Sequence, residues 1–166
     1  MWKLFEEHFS RHSAGRLVVE AFLKYGYSVH PDGTVWCGPV AMAPAKIAQA
    51  LGVDRRVVLS AAKKIASHEG LLKVFAPLQP RADFSDCAKE LGFDAIEISA
   101  DAHASGVVSQ VTGVLSQRKV ALRQVIADDP DLFLDPKLTI VLDGKLDAKT
   151  LELLRKLPCA KKITIR

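Results

Sequence analysis

The chain has 166 residues, 49% of them hydrophobic and 25% charged, which is the composition of an ordinary globular protein with room for one large core or two small ones. No stretch approaches the roughly 18 consecutive apolar residues of a membrane span, and the opening residues lack a signal peptide's apolar run, so a cytoplasmic protein without a membrane partner is expected. The net charge of +4 is uneven: residues 1–82 hold eleven Lys/Arg against six Asp/Glu, whereas residues 83–166 hold twelve against thirteen, a balance that suits a nucleic-acid module fused to a second, near-neutral unit.

Trp2, Phe5 and Phe9 recur at helical spacing and predict a short first helix. Ser13 then caps a second helix whose stripe is Leu17, Val18, Ala21, Phe22 and Tyr25, with Gly26 as its stop. The β-favouring runs 27–30 and 34–37 flank Pro31-Asp32-Gly33 and predict a hairpin, with a further short strand at 40–42. Residues 45–65 are the most informative of this half. Ile47, Ala48 and Leu51 give a short helix its apolar stripe, Gly52 suits a tight turn, Val53 plugs it, and Asp54 caps a second helix. That second helix buries Val57, Val58, Ala61, Ala62 and Ile65, and it turns Arg56, Leu59, Ser60, Lys63 and Ser67 outward, with Arg55 and Lys64 flanking. The pattern is that of a helix-turn-helix, and Arg55, Arg56, Ser60, Lys63 and Lys64 are the candidate contacts to double-stranded DNA. A helix hairpin in a bundle with a charged, solvated outer face has the same pattern. Residues 72–76 read as a strand, Pro77 and Pro80 bracket a bend, and a short linker helix is expected at about 83–91.

The second half predicts β-α-β-β-α-β: strands at 93–100, 120–127, 137–142 and 161–166, with helices opening at Gly106 and Asp147. Ile96, Ile98, Leu151, Leu154, Leu157, Ile163 and Ile165 are expected inside, with both helices on one face of an antiparallel sheet. The expected fold class is therefore α+β, a helix-turn-helix-like domain of winged type over 1–80 followed by a ferredoxin-like βαββαβ domain over 81–166.

The residues Phe93 to Asp101, then Ser105-Gly106-Val107-Val108-Ser109-Gln110-Val111-Thr112, resemble the first strand, loop and helix of ACT domains. The runs 123–133 and 136–140, together with Gly52 to Val58, resemble archaeal proteins described as predicted regulators of amino-acid metabolism that contain an ACT domain. The resemblance implies a homodimer or larger assembly formed through the ACT domain. It also implies an amino-acid effector held near the first loop and helix by Asp101, His103, Ser105, Gly106 and Val107, with Gln124, Val125 and Ile126 contributed by the second strand. Helix N-terminal N–H groups suit a ligand carboxylate and an acidic side chain its ammonium. Ser105 stands where many members have proline. Gly106 equally suits a tight turn and Asp101 a local cap. Asp128, Asp129 and Asp131 beside Pro130 read more readily as a solvated turn than as a cation site.

Cys37, Cys87 and Cys159 are widely spaced, form no metal pattern and read as small, mostly buried thiols. His103 has no partner ligand nearby in sequence. No phosphate loop, nucleophile elbow or HExxH pair is present, so neither an enzyme nor a cofactor is expected. The leading expectation is an amino-acid-responsive transcriptional regulator. The alternative is a regulatory subunit that senses an amino acid and docks onto a metabolic enzyme.

Overall fold

The computed structural model describes residues 2–10, 12–101 and 103–166, and the side chains of Trp2 and Lys3 lie outside the described residues. The protein is mixed α+β, with seven helices and two antiparallel sheets among the described residues. It divides into two compact units, Met1–Ala82 and Asp83–Arg166. No helix is long and apolar enough to cross a membrane among the described residues.

Unit one begins with α1 (Trp2–His8) and α2 (Ala14–Tyr25). Ser13 starts α2 by accepting the Arg16 N–H on its hydroxyl at 3.1 Å, and Gly26 ends it in the left-handed region at φ 66°. A side-chain carbon on Gly26 would lie 2.5 Å from the Gln79 carbonyl oxygen, so the position needs glycine for space as well as conformation. Next come β1 (Tyr27–Val29), β2 (Val35–Cys37) and β3 (Val40–Ala41), a three-stranded antiparallel meander. Val29 and Val35 face each other and are buried, which leaves Ser28 and Trp36 paired on the other face. Helices α3 (Pro44–Leu51) and α4 (Arg55–Ser67) are joined through Gly52, again left-handed, and Asp54 caps α4 by accepting the Arg56 N–H at 2.7 Å. The core gathers Phe5, Phe22, Val58, Ile65, Leu71 and Phe75 from α1, α2, α4 and α5 (Glu69–Phe75).

That last helix corrects the strand expected at 72–76. Leu71 and Phe75, four residues apart, are both fully buried, and the Phe75 ring stands edge-on to Phe5 and to Phe22. In a strand Lys73 would share the face of Leu71 and Phe75, whereas the helix turns it outward, where its ammonium lies 2.6 Å from Glu69 one turn before it.

Unit two opens with the segment expected to be a linker helix at about 83–91, and this expectation fails. Residues 85–92 form successive turns. Asp83 does cap the start by accepting the Ser85 N–H at 2.8 Å, but the Ala88 carbonyl receives both the Leu91 and the Phe93 N–H, which closes the chain instead of extending a ladder. Ala88 is wholly buried against Ala95 and Val141, so packing onto the sheet holds the segment in that shape. Cys87 sits in these turns and is exposed, and Cys37 and Cys159 are half-buried, so the thiols are less buried than their residue type suggested.

The strands β4 (Ala95–Ser99), β5 (Leu122–Ala127), β6 (Lys137–Leu142) and β7 (Lys162–Ile165) lie in the order β5-β6-β4-β7, every neighbour antiparallel. Helices α6 (Val107–Gln117) and α7 (Ala148–Arg155) supply Val111, Leu115 and Leu154 to a core that includes Ile96, Ile98, Leu138 and Ile140. Ile163 packs against that core, but Ile165 is 43% exposed, because β7 is an edge strand and α7 stops at Arg155. In register, Ile98 stands opposite Leu138, which stands opposite Ala127; one residue along, Glu97, Thr139 and Ile126 form a row on the other face.

Candidate functional site

Unit two carries a cleft of about 620 Å³ at the end of the sheet where β4 leaves for α6. Ile98 and Ala100 of β4, Ala127 of β5 and Leu138 of β6 line it from the sheet, and Val107, Val108, Ser109 and Thr112 line it from α6. Asp101, Ala104 and Gly106 close it from the connecting loop, while Asp128, Pro136 and Lys137 close it from the β5–β6 connection. Its walls are mainly apolar, with carboxylates at two places and the first turn of a helix at a third. The initial N–H groups of α6 have no partner inside the helix and carry the positive end of its dipole.

Gly106 precedes α6 with φ 83°, and its carbonyl accepts both the Gln110 N–H at 3.0 Å and the Ser109 hydroxyl at 2.9 Å. Asp101 Oδ1 accepts the His103 N–H at 3.1 Å, so one carboxylate oxygen fixes the loop. Asp128 is bound twice to Lys137: its N–H donates to the Lys137 carbonyl at 3.0 Å and its Oδ2 accepts the Lys137 N–H at 3.1 Å. Asp129 Oδ1 accepts the Asp131 N–H at 2.8 Å, a turn closed on itself. The Lys137 ammonium lies 3.5 Å from Glu97 and 3.7 Å from Asp135.

Of the eight residues expected to hold an amino acid, Asp101, Gly106 and Val107 line this cleft. His103 and Ser105 are exposed on the loop and do not line it. Gln124 and Ile126 belong to the opposite face of the sheet, where the Gln124 side-chain oxygen accepts the Phe84 N–H at 2.9 Å. Val125 shares the helix-bearing face but is 42% exposed and not part of the lining. The strand contribution comes instead from Ala127 and Asp128. Choosing it depended on the β5–β6 register, which contains an irregularity between Leu122 and Gln124 and has no signature in the sequence.

In unit one the five candidate DNA contacts lie on α4 but not on one uniform face. Arg56, Ser60 and Lys64, four residues apart, line a hollow of about 350 Å³ with Phe9 and Gly15. The Lys64 ammonium donates to the His8 carbonyl and lies 5.2 Å from the Phe9 ring centre, so this cation is drawn towards the α1 end. The Arg56 side chain is 90% exposed, its Nε 3.3 Å from Asp54 Oδ1. The Asp54 carboxyl is held below its ordinary range by the Arg56 backbone N–H first and the Arg56 side chain second. Arg55 and Lys63 are exposed.

No family model matches this chain, and no curated protein does. Among solved structures, the crystal structure of PH0061 is similar at 16% identity over 75% of this chain and 78% of that one, with a TM-score of 0.27. A likeness that loose carries no argument about function. The cleft and the α4 surface therefore rest on their own geometry. Sequence reasoning missed Ile98, Val108, Ala127, Asp128 and Leu138 as cleft residues; Ile98 was legible only as core, and Leu138 only as part of the strand expected at 137–142. Val108 lies one turn before Thr112 on α6, on the flank of the apolar face that carries the buried Val111 and Leu115.

Proposed function

We propose that this chain is an amino-acid-responsive regulator, in which unit two is a ferredoxin-like sensor of ACT type and unit one a helix-turn-helix module that binds double-stranded DNA through α4. The observation that carries the reading is the cleft beside the first turn of α6. A free α-amino acid has a carboxylate for the N–H groups of that turn, an ammonium for the second oxygen of Asp101, and a side chain for the apolar walls formed by Ile98, Val108 and Leu138. The order β5-β6-β4-β7 around two helices supports the sensor assignment, and the Gly52 turn with the Asp54 cap supports the α3–α4 assignment. Assembly as a homodimer belongs to the same proposal, with β5 and β7 as sheet edges open to a second copy.

The deciding experiment is thermal denaturation of the chain with each of the twenty amino acids. A ligand present at about 100 times its dissociation constant stabilises the folded state by about 2.7 kcal/mol, and the expected result is a raised melting temperature for a small subset. Replacing Gly106 by Val should abolish the shift, since the bulkier residue is strained at φ 83° and fills the corner beside Ser109 and Gln110. A flat response to all twenty, or an equal shift in Gly106→Val, would overturn the sensor reading. For the DNA half, the double change Arg56→Ala and Lys63→Ala should weaken duplex binding; unchanged binding would remove α4 from the contact surface.

A second reading is favoured by one specific feature, the engagement of Arg56 by Asp54 and of Lys64 by the His8 carbonyl, which occupies donors on two of the cations of α4. In it, unit one docks onto a metabolic enzyme. Pull-down from extract with and without nuclease separates the two, because a DNA-mediated capture is lost on nuclease treatment.

A further inference from the structure

The side-chain hydroxyls of the cleft beside α6 have already spent their protons. Ser109 donates to the Gly106 carbonyl at 2.9 Å, and Thr112 donates to the Val108 carbonyl at 2.8 Å. Each keeps a lone pair for a ligand and has no proton to give it. Asp101 and Asp128 are acceptors as carboxylates, and each has a second oxygen beyond the one that holds its own loop. Lys137 lines the cleft but directs its charge elsewhere. It stands two residues before Thr139 on β6, on the face of the sheet that carries Glu97, and its ammonium lies 3.5 Å from Glu97 and 3.7 Å from Asp135. Among the described lining residues, the ionisable side chains left to a ligand are therefore two acids.

The two acids stand at opposite ends of an apolar floor. Asp101 follows β4 and Asp128 follows β5, and β6 lies between those strands. Ile98, Leu138 and Ala127 form the row that crosses all three. The ends of β4 and β5 are thus two strand spacings apart, about 10 Å. An α-amino acid with its carboxylate on the N–H groups of α6 and its ammonium on Asp101 sends its side chain along Leu138 towards Asp128. A neutral side chain leaves the half-buried Asp128 without a counter-charge, and an acidic one brings two like charges together. A cation on an aliphatic stem meets both demands, with methylenes against Ile98, Val108 and Leu138 and a charged hydrogen bond at the tip. A four-carbon stem with an ammonium at either end, each reaching its carboxylate over about 2.8 Å, spans that separation.

We infer that the ligand of this cleft is a basic α-amino acid of the lysine type, its side-chain cation held by Asp128 and its α-ammonium by Asp101. The inference rests on the sensor reading and narrows it from amino acids in general to those with two cationic groups. Apolar walls alone suit leucine or phenylalanine equally; the second carboxylate and the proton-spent hydroxyls decide against them.

The test is isothermal titration calorimetry of the full chain with lysine, ornithine, arginine, norleucine, leucine and glutamate. Norleucine keeps lysine's stem and lacks its terminal ammonium, so that pair isolates the charge. The tightest of the three basic ligands should bind about 10- to 100-fold more tightly than norleucine, the range for one hydrogen bond to a charged group. Asp128→Asn keeps an oxygen to accept the Lys137 N–H and should erase that preference, weakening the basic ligand while norleucine binds as before or better. Asp101→Asn should weaken lysine and norleucine by similar factors, because both present the α-ammonium. Should Asp128→Asn fail to fold, the parent's own ratio of lysine to norleucine affinity decides the matter. Norleucine, leucine or glutamate bound as tightly as every basic ligand, or a preference that survives Asp128→Asn, overturns the inference and leaves the sensor reading standing. Absence of binding by all six overturns it too, and the screen of twenty amino acids then decides the sensor reading separately.

Discussion

Asp147 binds together two residues that are distant from each other in sequence, Thr150 and Arg118. Its Oδ1 accepts the Thr150 N–H at 2.8 Å and caps α7, its Oδ2 accepts the Thr150 hydroxyl at 2.7 Å, and the Arg118 guanidinium lies 3.4 Å from that second oxygen. Arg118 also donates from Nε to the wholly buried Thr150 hydroxyl at 3.1 Å, which ties the end of α6 to the start of α7. The Thr150 hydroxyl, then its backbone N–H, then Arg118 lower the Asp147 carboxyl to about 2. The folded-state value is below that of an unfolded aspartate, so its contribution is fully present above about pH 4 and is lost as pH falls through about 2. Asp147→Asn should therefore lower the urea midpoint at neutral pH, and its gap to the parent should close as pH drops from about 4 towards 2. A gap that stays constant across that window would show that the carboxylate's charge is not what matters. The sequence marks Asp147 as a helix cap, but it says nothing of Arg118, twenty-nine residues away, or of the doubling of the cap by Thr150.

Element ends were the most legible features, because caps and left-handed stops are local chemistry. Ser13, Asp54 and Asp147 each cap a helix, and Gly26 and Gly52 each end one with φ 66°. The two glycines differ in their surroundings, and this predicts a difference in energy. Gly52 has nothing within 4 Å of an added Cβ, whereas Gly26 has the Gln79 backbone at 2.5 Å. Gly52→Ala should cost about 1–2 kcal/mol from the left-handed conformation alone. Gly26→Ala should cost more, because backbone must also move, and urea denaturation of the two variants measures the excess. Equal losses would mean that the segment around Gln79 yields freely. The elements misread from sequence, 72–76 and 83–91, were both decided by packing. Short apolar runs fit helix or strand equally, and only Phe5 and Phe22 beside Phe75, or Val141 beside Ala88, choose between them.

At the scale of the whole chain, one unit carries a basic helix surface and the other an apolar cleft with two carboxylates. If both halves of the proposed function hold, they must be coupled in both directions. An amino acid that changes duplex affinity by some factor is itself bound more tightly or weakly by the same factor when duplex is present. Titrating the amino acid with and without saturating duplex, and the duplex with and without saturating amino acid, should give matching ratios, typically about 5- to 150-fold. Two binding activities that leave each other's dissociation constants unchanged would make the chain a carrier of two independent functions and not a responsive regulator.

The sequence by itself determined where most elements begin and end, their order, the burial of Ile96, Ile98 and Leu154, and the break in charge between the halves. Those properties follow from spacing and capping within a few residues. Only the tertiary structure decided which residues share a site. Ala127 meets Ile98 through Leu138, and Gly33 meets Lys63, because of strand register and helix packing between segments distant in sequence. A shift of one residue in register exchanges the two faces of a strand, and for that physical reason Gln124 and Ile126 face away from the cleft while Ala127 lines it.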